Sequence, residues 1–403
     1  MNEFVEQLEP MLEDEELINA LSVLPVVRSD LKTKSERLTA LIDIYKIYIP
    51  TSTTIDIYNR LYLSVVSSLE KKNSIEEIKL LNENYKTMKG LNRYGIIGGI
   101  DSFRLTGNSG VGKTSAIQRC SEIITQNRIL KGTKLFKEII PILEVETVSD
   151  CSIKNLLYSI LVKVDEKLGT NFYELNNSNH TTTDVLLSAV STVLSNHVAL
   201  LCIDEIERVV DNKRGITLLN YLTQLINQST ISICFVGTES SNQFFEMKEY
   251  LARRTLGISL KKMSLDRDYY SFCRILFNYQ YTLNKIDMTN EIVRWFYSHS
   301  NGLPSMTISL YVEAQREAIL SGKETIDLEL LTKTYRRVFS TMSTYVEIDS
   351  IKYSKPDKED CVVLRKTTGS KVDNIFDKVS KVAYKDADRM IELLSEIIIV
   401  EYI

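Results

Sequence analysis

The sequence has 403 residues, of which 44% are hydrophobic and 25% charged, and its formal net charge is −4. This composition is that of a folded globular protein rather than a disordered one, and the length predicts two or three structural units. The small net charge excludes a chain that binds nucleic acid through an overall basic surface, so any DNA contact must come from a local patch.

The cysteines and the apolar segments favour a cytoplasmic protein. The six cysteines stand at least 31 residues apart, a spacing that suits neither a metal site nor a redox pair, so we expect free thiols in a reducing compartment. No apolar run approaches the roughly 18 residues of a membrane span, and the first residues lack the basic-then-apolar order of a signal peptide. We therefore predict a cytoplasmic chain with no membrane partner.

Residues 1–95 are predicted to form a helical N-terminal extension. The first sixteen residues carry seven carboxylates, and apolar residues recur at helical spacing up to Leu21. This acidic amphipathic segment fits either a solvated helix or a docking arm for a partner. A second helical pattern begins near residue 55 and runs to about residue 69.

From about residue 100, short β-rich runs alternate with helical stretches, which predicts an α/β domain over residues 96–264. The runs are SFRLTG, IIPILEV, VALLCID, ISICFVG and GISL. Such alternation favours a parallel sheet with helices on both faces.

Helical patterns without strands follow the α/β domain, and we predict a helical lid domain over residues 265–344. The patterns lie at 266–280, 289–300, 303–321 and 327–339. The segment KYSKPDKED is typical of a linker. Residues 345–403 are predicted to form this linker and a C-terminal helical tail.

A phosphate-binding loop follows the first strand. The segment GNSGVGKT fits the pattern G-x-x-x-x-G-K-[ST] between an expected strand and an expected helix. Its residues are Gly107, Asn108, Ser109, Gly110, Val111, Gly112, Lys113 and Thr114. The glycines let backbone N–H groups turn towards phosphate oxygens, Lys113 neutralises the β- and γ-phosphates, and the Thr114 hydroxyl binds Mg²⁺. The alternative is a glycine-rich turn that binds nothing.

A second part of the site is predicted at the end of the strand VALLCID. An apolar run ends there at Asp204 and Glu205. Asp204 would hold Mg²⁺ through its water shell, and Glu205 would orient and deprotonate the attacking water. An Asp-Glu pair at a helix start also fits an N-cap, which is the alternative interpretation.

Two further features follow in chain order. Thr238 comes after the strand ISICFVG, where it could sense the γ-phosphate or simply end the strand in a turn. Arg253 and Arg254 precede the last strand, where a guanidinium on the surface could reach the phosphates of a neighbouring subunit and complete its site in trans. Plain surface arginines are the alternative, and the spacing does not choose between the two positions.

The order of these features resembles the TnsC/TniB family of AAA+ ATPases, regulators of transposons mobilised by a TnsA–TnsB type transposase. The resemblance covers about residues 95–335 and is carried by GNSGVGKTSAIQR, DCSIKNLLYSIL, LLCIDEIERV, LLNYLTQLINQSTISICFVGTES, YLARRTLGI and SNGLPSMTISLYVEAQREAILSGKETID. It implies a P-loop AAA+ fold, ATP as the nucleotide, and a homo-oligomeric ring or helical filament on duplex DNA. It also implies links to a TniQ- or TnsD-like target selector and a TnsA/TnsB-like transposase, with ATP hydrolysis driving disassembly.

The same resemblance implies DNA contacts at loops and helix starts near SDCSIKN and NHTTTD. The candidate residues are Lys154, Thr181, Thr182 and Thr183. Lysine and hydroxyl groups suit phosphates, which add affinity without reading sequence. Helix capping by Ser152 or Thr183 is an equally good interpretation of these motifs.

The lid departs from the AAA+ pattern, and this leaves other functions open. Ser305 and Met306 stand where many of these proteins carry an arginine, so either the lid supplies no cation or Arg316 reaches in from another turn. The alternative functions are an initiator or helicase-loader-like DNA ATPase and a signalling NTPase. The absence of a repeat with a period of 20 to 50 residues weighs against the signalling class.

Overall fold

The strand-like runs of the sequence form a six-stranded sheet in the computed structural model, which describes residues 2–72, 102–132, 138–147, 152–178, 180–210, 221–226, 231–246 and 255–338. The strands are β1 Phe103–Thr106, β2 Leu130–Lys131, β3 Glu138–Glu146, β4 Val198–Asp204, β5 Ser232–Gly237 and β6 Leu256–Ser259. Their spatial order is β2-β3-β4-β5-β1-β6. The predicted parallel sheet is confirmed for the five predicted strands, whereas the short β2, which was not predicted, runs antiparallel to β3 and makes the sheet mixed.

Different helices cover the two faces of the sheet. The helices of this part are α4 Lys113–Thr125, α5 Ile153–Leu168, α6 Phe172–Asn176, α7 Thr183–His197, α8 Glu207–Val210 and α9 Ser241–Glu246. Along β4, Leu201 and Ile203 pack into the cluster beneath α5 and α7, while Leu200 and Cys202 pack into the opposite cluster with α4. Because both faces are covered, β4 is a continuous apolar run rather than an alternating one, which explains why it could be predicted.

The lid consists of helices after β6, as predicted. They are α10 Arg267–Phe277, α11 Asn290–Ser300, α12 Pro304–Ser321 and α13 Leu328–Val338. Local signals set their ends: the Asp266 carboxylate accepts a hydrogen bond from the Tyr269 N–H (3.3 Å), and Pro304 occupies the first position of α12. Gly322, with a φ of 77°, follows the end of α12.

The N-terminal extension begins with a short 3₁₀ turn and three helices. The turn is Val5–Gln7, and the helices are α1 Asp14–Leu21, α2 Lys34–Ile44 and α3 Ser52–Lys72. The acidic segment buries Leu17 and Leu21 and leaves the four carboxylates at 13–16 in solvent, whereas Glu9 pairs with Arg128 (2.9 Å). A capping box between Thr33 and Glu36 starts α2.

The three helices of the N-terminal extension do not share one core. Helices α1 and α3 pack on the sheet face that also holds α4, whereas α2 packs along α12 of the lid. The chain divides into two compact units, Met1–Met342 and Ser343–Ile403, and all described residues belong to the first. The predicted linker and tail over 345–403 lie outside the described residues.

Candidate functional site

The phosphate-binding loop joins β1 to α4 at the carboxyl edge of the parallel strands, where ligands of open α/β sheets bind. Two of its glycines are required by the geometry. A Cβ at position 107 would lie 2.2 Å from the carbonyl oxygen of Leu260, and Gly112, which caps α4, has a φ of 101°. The loop can therefore present backbone N–H groups and the start of α4 to an anion.

Lys113, the first residue of α4, folds its side chain back over the loop. Its ammonium donates hydrogen bonds to the carbonyl oxygens of Gly107 (2.8 Å) and Asn108 (3.1 Å). Burial lowers the pKa of Lys113, while nearby carboxylates oppose this shift. These carboxylates are Glu207, Asp204, Glu205 and Glu239. Exchanging carbonyl oxygens for phosphate oxygens would give this half-buried ammonium a charged partner.

Thr114 and Asp204 meet across the gap between α4 and the end of β4. The Thr114 hydroxyl donates to one carboxylate oxygen of Asp204 (2.6 Å), and the other oxygen accepts from the Glu205 N–H (2.7 Å). In the described part of the chain, no group of three or more His, Cys, Asp or Glu side chains could hold a metal ion by itself. One hydroxyl and one carboxylate beside a phosphate loop do fit Mg²⁺, which binds through one or two carboxylates, substrate phosphates and waters.

Glu205 has a left-handed backbone, with a φ of 58°, and its side chain is paired with an arginine of the short helix α8 that follows it. Arg208 forms an ion pair with the Glu205 carboxylate and also donates to Glu146 (3.3 Å) and to the Thr147 carbonyl oxygen (3.0 Å). The Thr147 hydroxyl in turn donates to the Glu205 carbonyl oxygen (2.6 Å). Burial raises the pKa of Glu205, and Arg208 opposes that shift. Arg208 thus joins the ends of β3 and β4 around the predicted base.

Thr238 lies next to the phosphate-binding loop, because the preceding Gly237 accepts a hydrogen bond from the Gly107 N–H (3.3 Å). The Thr238 N–H donates to the Glu207 carboxylate (3.2 Å), and its hydroxyl is bonded to that of Ser240 (2.8 Å). The structure therefore brings the predicted loop, Asp204, Glu205 and Thr238 to one edge of the sheet. The hydroxyl of Thr238 is engaged within its own turn.

One family comparison covers about half of the chain. The family described as "Bacterial TniB protein" matches residues 61–265. The chain belongs to the TniB family. The match includes the phosphate-binding loop, β4 and β5 of this TniB chain, and together with the sheet order and the helices after β6 it confirms the predicted AAA+ fold.

Solved structures similar to this TniB chain share little sequence with it. The Aeropyrum pernix ORC2 protein (ADPNP–ADP complexes) is 15% identical, with a TM-score of 0.40, 65% of this chain covered and 66% of the ORC2 chain spanned. The A. pernix ORC1 protein in complex with DNA is 13% identical, with a TM-score of 0.43, and the match covers 81% of this chain and 78% of the ORC1 chain. Drosophila ORC bound to DNA is 12% identical, with a TM-score of 0.47, and the match covers 99% of this chain and 86% of the ORC chain. No curated protein matches the chain.

The lid of this TniB protein touches the phosphate-binding loop through a residue that the sequence analysis had not assigned a role. The Ser305 hydroxyl, in the first turn of α12, donates to the Gly110 carbonyl oxygen (2.7 Å). Arg316 lies about three turns further along α12 and pairs with Glu313 (3.2 Å). The hydrogen bond between lid and loop is thus made by a hydroxyl.

Two of the residues predicted to contact DNA, Lys154 and Thr181, are connected through Tyr158 of α5. The Lys154 ammonium lies 5.7 Å from the centre of the Tyr158 ring, and the Tyr158 hydroxyl lies 3.5 Å from the Asn176 carbonyl oxygen. The Thr181 hydroxyl donates to that same oxygen (2.9 Å). Tyr158 therefore links the Lys154 side of α5 to the turn that carries Thr181.

Helix capping explains part of these motifs. The Ser152 hydroxyl accepts from the Asn155 N–H (3.2 Å) at the start of α5, as the capping interpretation expected. At α7 the cap is Thr182, which accepts from the Val185 N–H (3.4 Å), and not Thr183, which is the first helical residue. The capping interpretation was therefore wrong by one residue at α7, because Thr183 already has helical geometry.

Arg253 and Arg254 lie outside the described residues, directly before Thr255 and the edge strand β6. Arg208 was missed, although an arginine three residues after a glutamate at a helix start is a spacing at which side chains meet.

Among the described helices, none is long and apolar enough to cross a membrane.

Proposed function

We propose that the protein is an ATP-dependent, DNA-binding regulator of transposition. In this proposal it oligomerises on duplex DNA and links a TniQ- or TnsD-like target selector to a TnsA/TnsB-like transposase. The observation that carries the proposal is the meeting of Lys113, Thr114, Asp204 and Glu205 at one sheet edge in a TniB-family chain. Hydrolysis releases the oligomer, because γ-phosphate contacts that span a subunit interface are lost with that phosphate.

Each residue of the site has a proposed task in hydrolysis. When bound, ATP supplies the γ-phosphoryl group and Mg²⁺ neutralises the developing charge. Lys113 moves from the loop carbonyls to phosphate oxygens, and Thr114 and Asp204 hold the ion and its waters. Glu205 leaves Arg208 and accepts a proton from the attacking water, while Thr238 contacts the γ-phosphate.

The proposed oligomer completes its sites between neighbouring copies. Arg253 or Arg254, which precede an edge strand, would reach the phosphates bound by the next subunit. Lys154 and the three threonines at 181–183 would contact DNA phosphates without reading base sequence. The N-terminal extension would meet the target selector, and residues 345–403 the transposase.

The decisive experiment is imaging of the purified chain with linear duplex, with and without a non-hydrolysable ATP analogue. We expect rings or filaments on DNA only with the analogue, and ATPase activity that rises with protein concentration and with added duplex. Lys113→Ala is the control that should lose both. Monomers under all conditions would refute the proposal and favour the signalling NTPase, whereas binding to one particular duplex sequence would favour the initiator-like alternative.

A second experiment assigns the termini. A chain ending at residue 342, the limit of the first compact unit, should still coat DNA with ATP but should no longer bind the transposase. Loss of DNA coating by this truncated chain would contradict the assignment of the tail.

A further inference from the structure

The N-terminal extension is fastened to both parts of the nucleotide-binding unit. Helices α1 and α3 bury apolar side chains in the cluster on the sheet, whereas α2 adds Ala40, Leu41 and Ile44 to the core of the lid. The connection from α2 to α3 contacts both cores, since Ile47 and Ile49 pack in or against the lid cluster and Tyr48 packs against the sheet cluster. Along the sequence, the chain therefore packs first on the sheet, then on the lid and then on the sheet again, before it reaches the phosphate-binding loop.

On the lid side, α2 is held by a buried bidentate ion pair. The two guanidinium nitrogens of Arg37 lie 2.5 and 2.9 Å from the two carboxylate oxygens of Glu324, which follows α12. Arg37 also donates to the Tyr281 carbonyl oxygen (3.4 Å), and Glu324 accepts from the Leu283 N–H (3.3 Å). A bidentate pair with further hydrogen bonds fixes orientation as well as distance, so α2 cannot rotate or slide on the lid without breaking it.

On the sheet side, the extension is tied to the helix that begins at the phosphate-binding loop. Arg119 of α4 donates to the last carbonyl oxygens of α1, those of Ala20 (2.7 Å) and Leu21 (3.1 Å). Val23, two residues after α1, and Tyr48, which follows α2, exchange backbone hydrogen bonds (2.9 and 3.0 Å). These bonds join the segment that leads into α2 to the segment that leaves it. A continuous series of contacts therefore leads from α4 through these connections to α2 and the lid.

Among the described residues, the lid makes its hydrogen bond to the phosphate-binding loop through a hydroxyl, while Leu303 packs against the sheet cluster that contains Val111. Ser305 bonds to the Gly110 carbonyl oxygen, and the first turn of α12, Pro304–Thr307, contains no cation. A neutral hydrogen bond at an exposed loop holds a domain weakly.

The position of the lid over the loop then depends also on its other contacts. The segment after β6 bonds to the turn before α12, through the Met263 N–H to the Gly302 carbonyl oxygen (2.9 Å) and the Lys262 ammonium to Asn301 (2.9 Å), and α2 is packed along α12 itself.

We propose that α2 sets the position of the lid over the phosphate-binding loop, with Arg37 as a positioning residue that acts through Glu324. This inference rests on the proposed function and deepens it, because it makes nucleotide affinity depend on the N-terminal extension. A partner that pulls on this extension would change the affinity for ATP without touching the site. Coupling of this kind between two sites typically amounts to about 5- to 150-fold in affinity.

The test is equilibrium titration of the full chain with a fluorescent ATP analogue and Mg²⁺. Arg37→Met is expected to weaken binding roughly tenfold and to raise KM, with kcat at saturating ATP within about twofold of the unmodified chain. Glu324→Gln should also weaken binding of the analogue. The double variant should bind the analogue no more weakly than either single variant, because the two groups act as a unit. The fluorescence of Trp295, the one tryptophan of the sequence, which packs against the lid core, reports whether the lid is folded.

A matched pair of core variants separates lid positioning from general loss of stability. Leu41→Ala removes an apolar contact of α2 with the lid and leaves no buried charge, whereas Leu161→Ala removes an equally buried leucine from the cluster beneath α5. We expect Leu41→Ala to weaken binding at least threefold more than Leu161→Ala, even if Arg37→Met fails to fold.

Two results would overturn the inference. One is a folded Arg37→Met chain that binds the analogue within twofold of the unmodified chain, and the other is equal weakening by the two leucine variants. Either leaves the proposed function standing, provided that the unmodified chain binds the analogue. An unmodified chain that binds none would overturn both.

Discussion

Replacing Gly107 by alanine tests the geometry of the phosphate-binding loop. The added Cβ would lie 2.2 Å from the Leu260 carbonyl oxygen, which is 0.8 Å inside the 3.0 Å within which real Cβ atoms are essentially never found. Leu260 is buried, and its N–H is bonded to the Thr106 carbonyl oxygen (2.8 Å), so the loop and not Leu260 must move. A displacement near 1 Å of the groups that position a ligand can cost about 100-fold, equivalent to about 2.7 kcal/mol. We expect a loss of this size in the affinity of the Gly107→Ala chain for ATP.

The assay for Gly107→Ala is the equilibrium affinity for a fluorescent ATP analogue, measured beside thermal unfolding. Gly169→Ala is the control, because Gly169 has a φ of 67° with no atom within 4 Å of its Cβ position and ends α5. The control should lose about 1–2 kcal/mol of stability through left-handed strain and keep its affinity. A folded Gly107→Ala chain that binds the analogue within threefold of the unmodified chain would refute the reasoning.

Three further variants address hydrolysis and the lid. Glu205→Gln should bind ATP normally, lower ATPase activity by about 10²- to 10⁴-fold and leave long-lived oligomers on DNA in electron micrographs; rapid disassembly would contradict its role as the base. Arg208→Met should raise the DNA-independent ATPase rate by about 1.4- to fivefold, because the ion pair it breaks is 38% and 35% exposed and worth about 0.2–1 kcal/mol; a slower rate would instead make Arg208 part of the active arrangement. Burial lowers the pKa of His299, so the unfolded chain takes up the proton first and the lid should lose stability as the pH falls below about 6.5. Urea unfolding followed by Trp295 fluorescence should show this loss, and His299→Asn should remove part of it.

The sheet and the lid could be predicted because their signals are local. An apolar run such as that of β4 is buried on both faces, and the lid helices carry their own caps and periodicity. The strand β2 has only two residues, Leu130 and Lys131, and so has no measurable period. The packing of α2 on the lid depends on a contact between residues 287 positions apart, Arg37 and Glu324, which no local pattern reports.

The part of the candidate site that forms one continuous segment of sequence was the easiest to predict. The loop from Gly107 to Thr114 is one segment with a known physical purpose, and the approach of Asp204 follows from the shared edge of parallel strands. Ser305 finds its partner Gly110 only in the folded chain, because the two residues lie 195 positions apart. Arg208 lies three residues after Glu205, a local spacing that does indicate a contact but does not name the role of the arginine. The catalytic roles of Glu205, Thr238 and the two arginines before β6 stay predictions.

The sharing of the N-terminal helices between two cores limits how this protein can be divided. A fragment cut to the family match, residues 61–265, would begin inside α3 and lack both α1 and the whole helical part after β6. Its sheet would lose the cover given by Leu17, Leu21 and Ile57, which are buried in the intact chain, and exposed apolar faces of that kind promote aggregation. Recombinant work should therefore keep the first sixty residues, since they complete the fold that the family match recognises only in part.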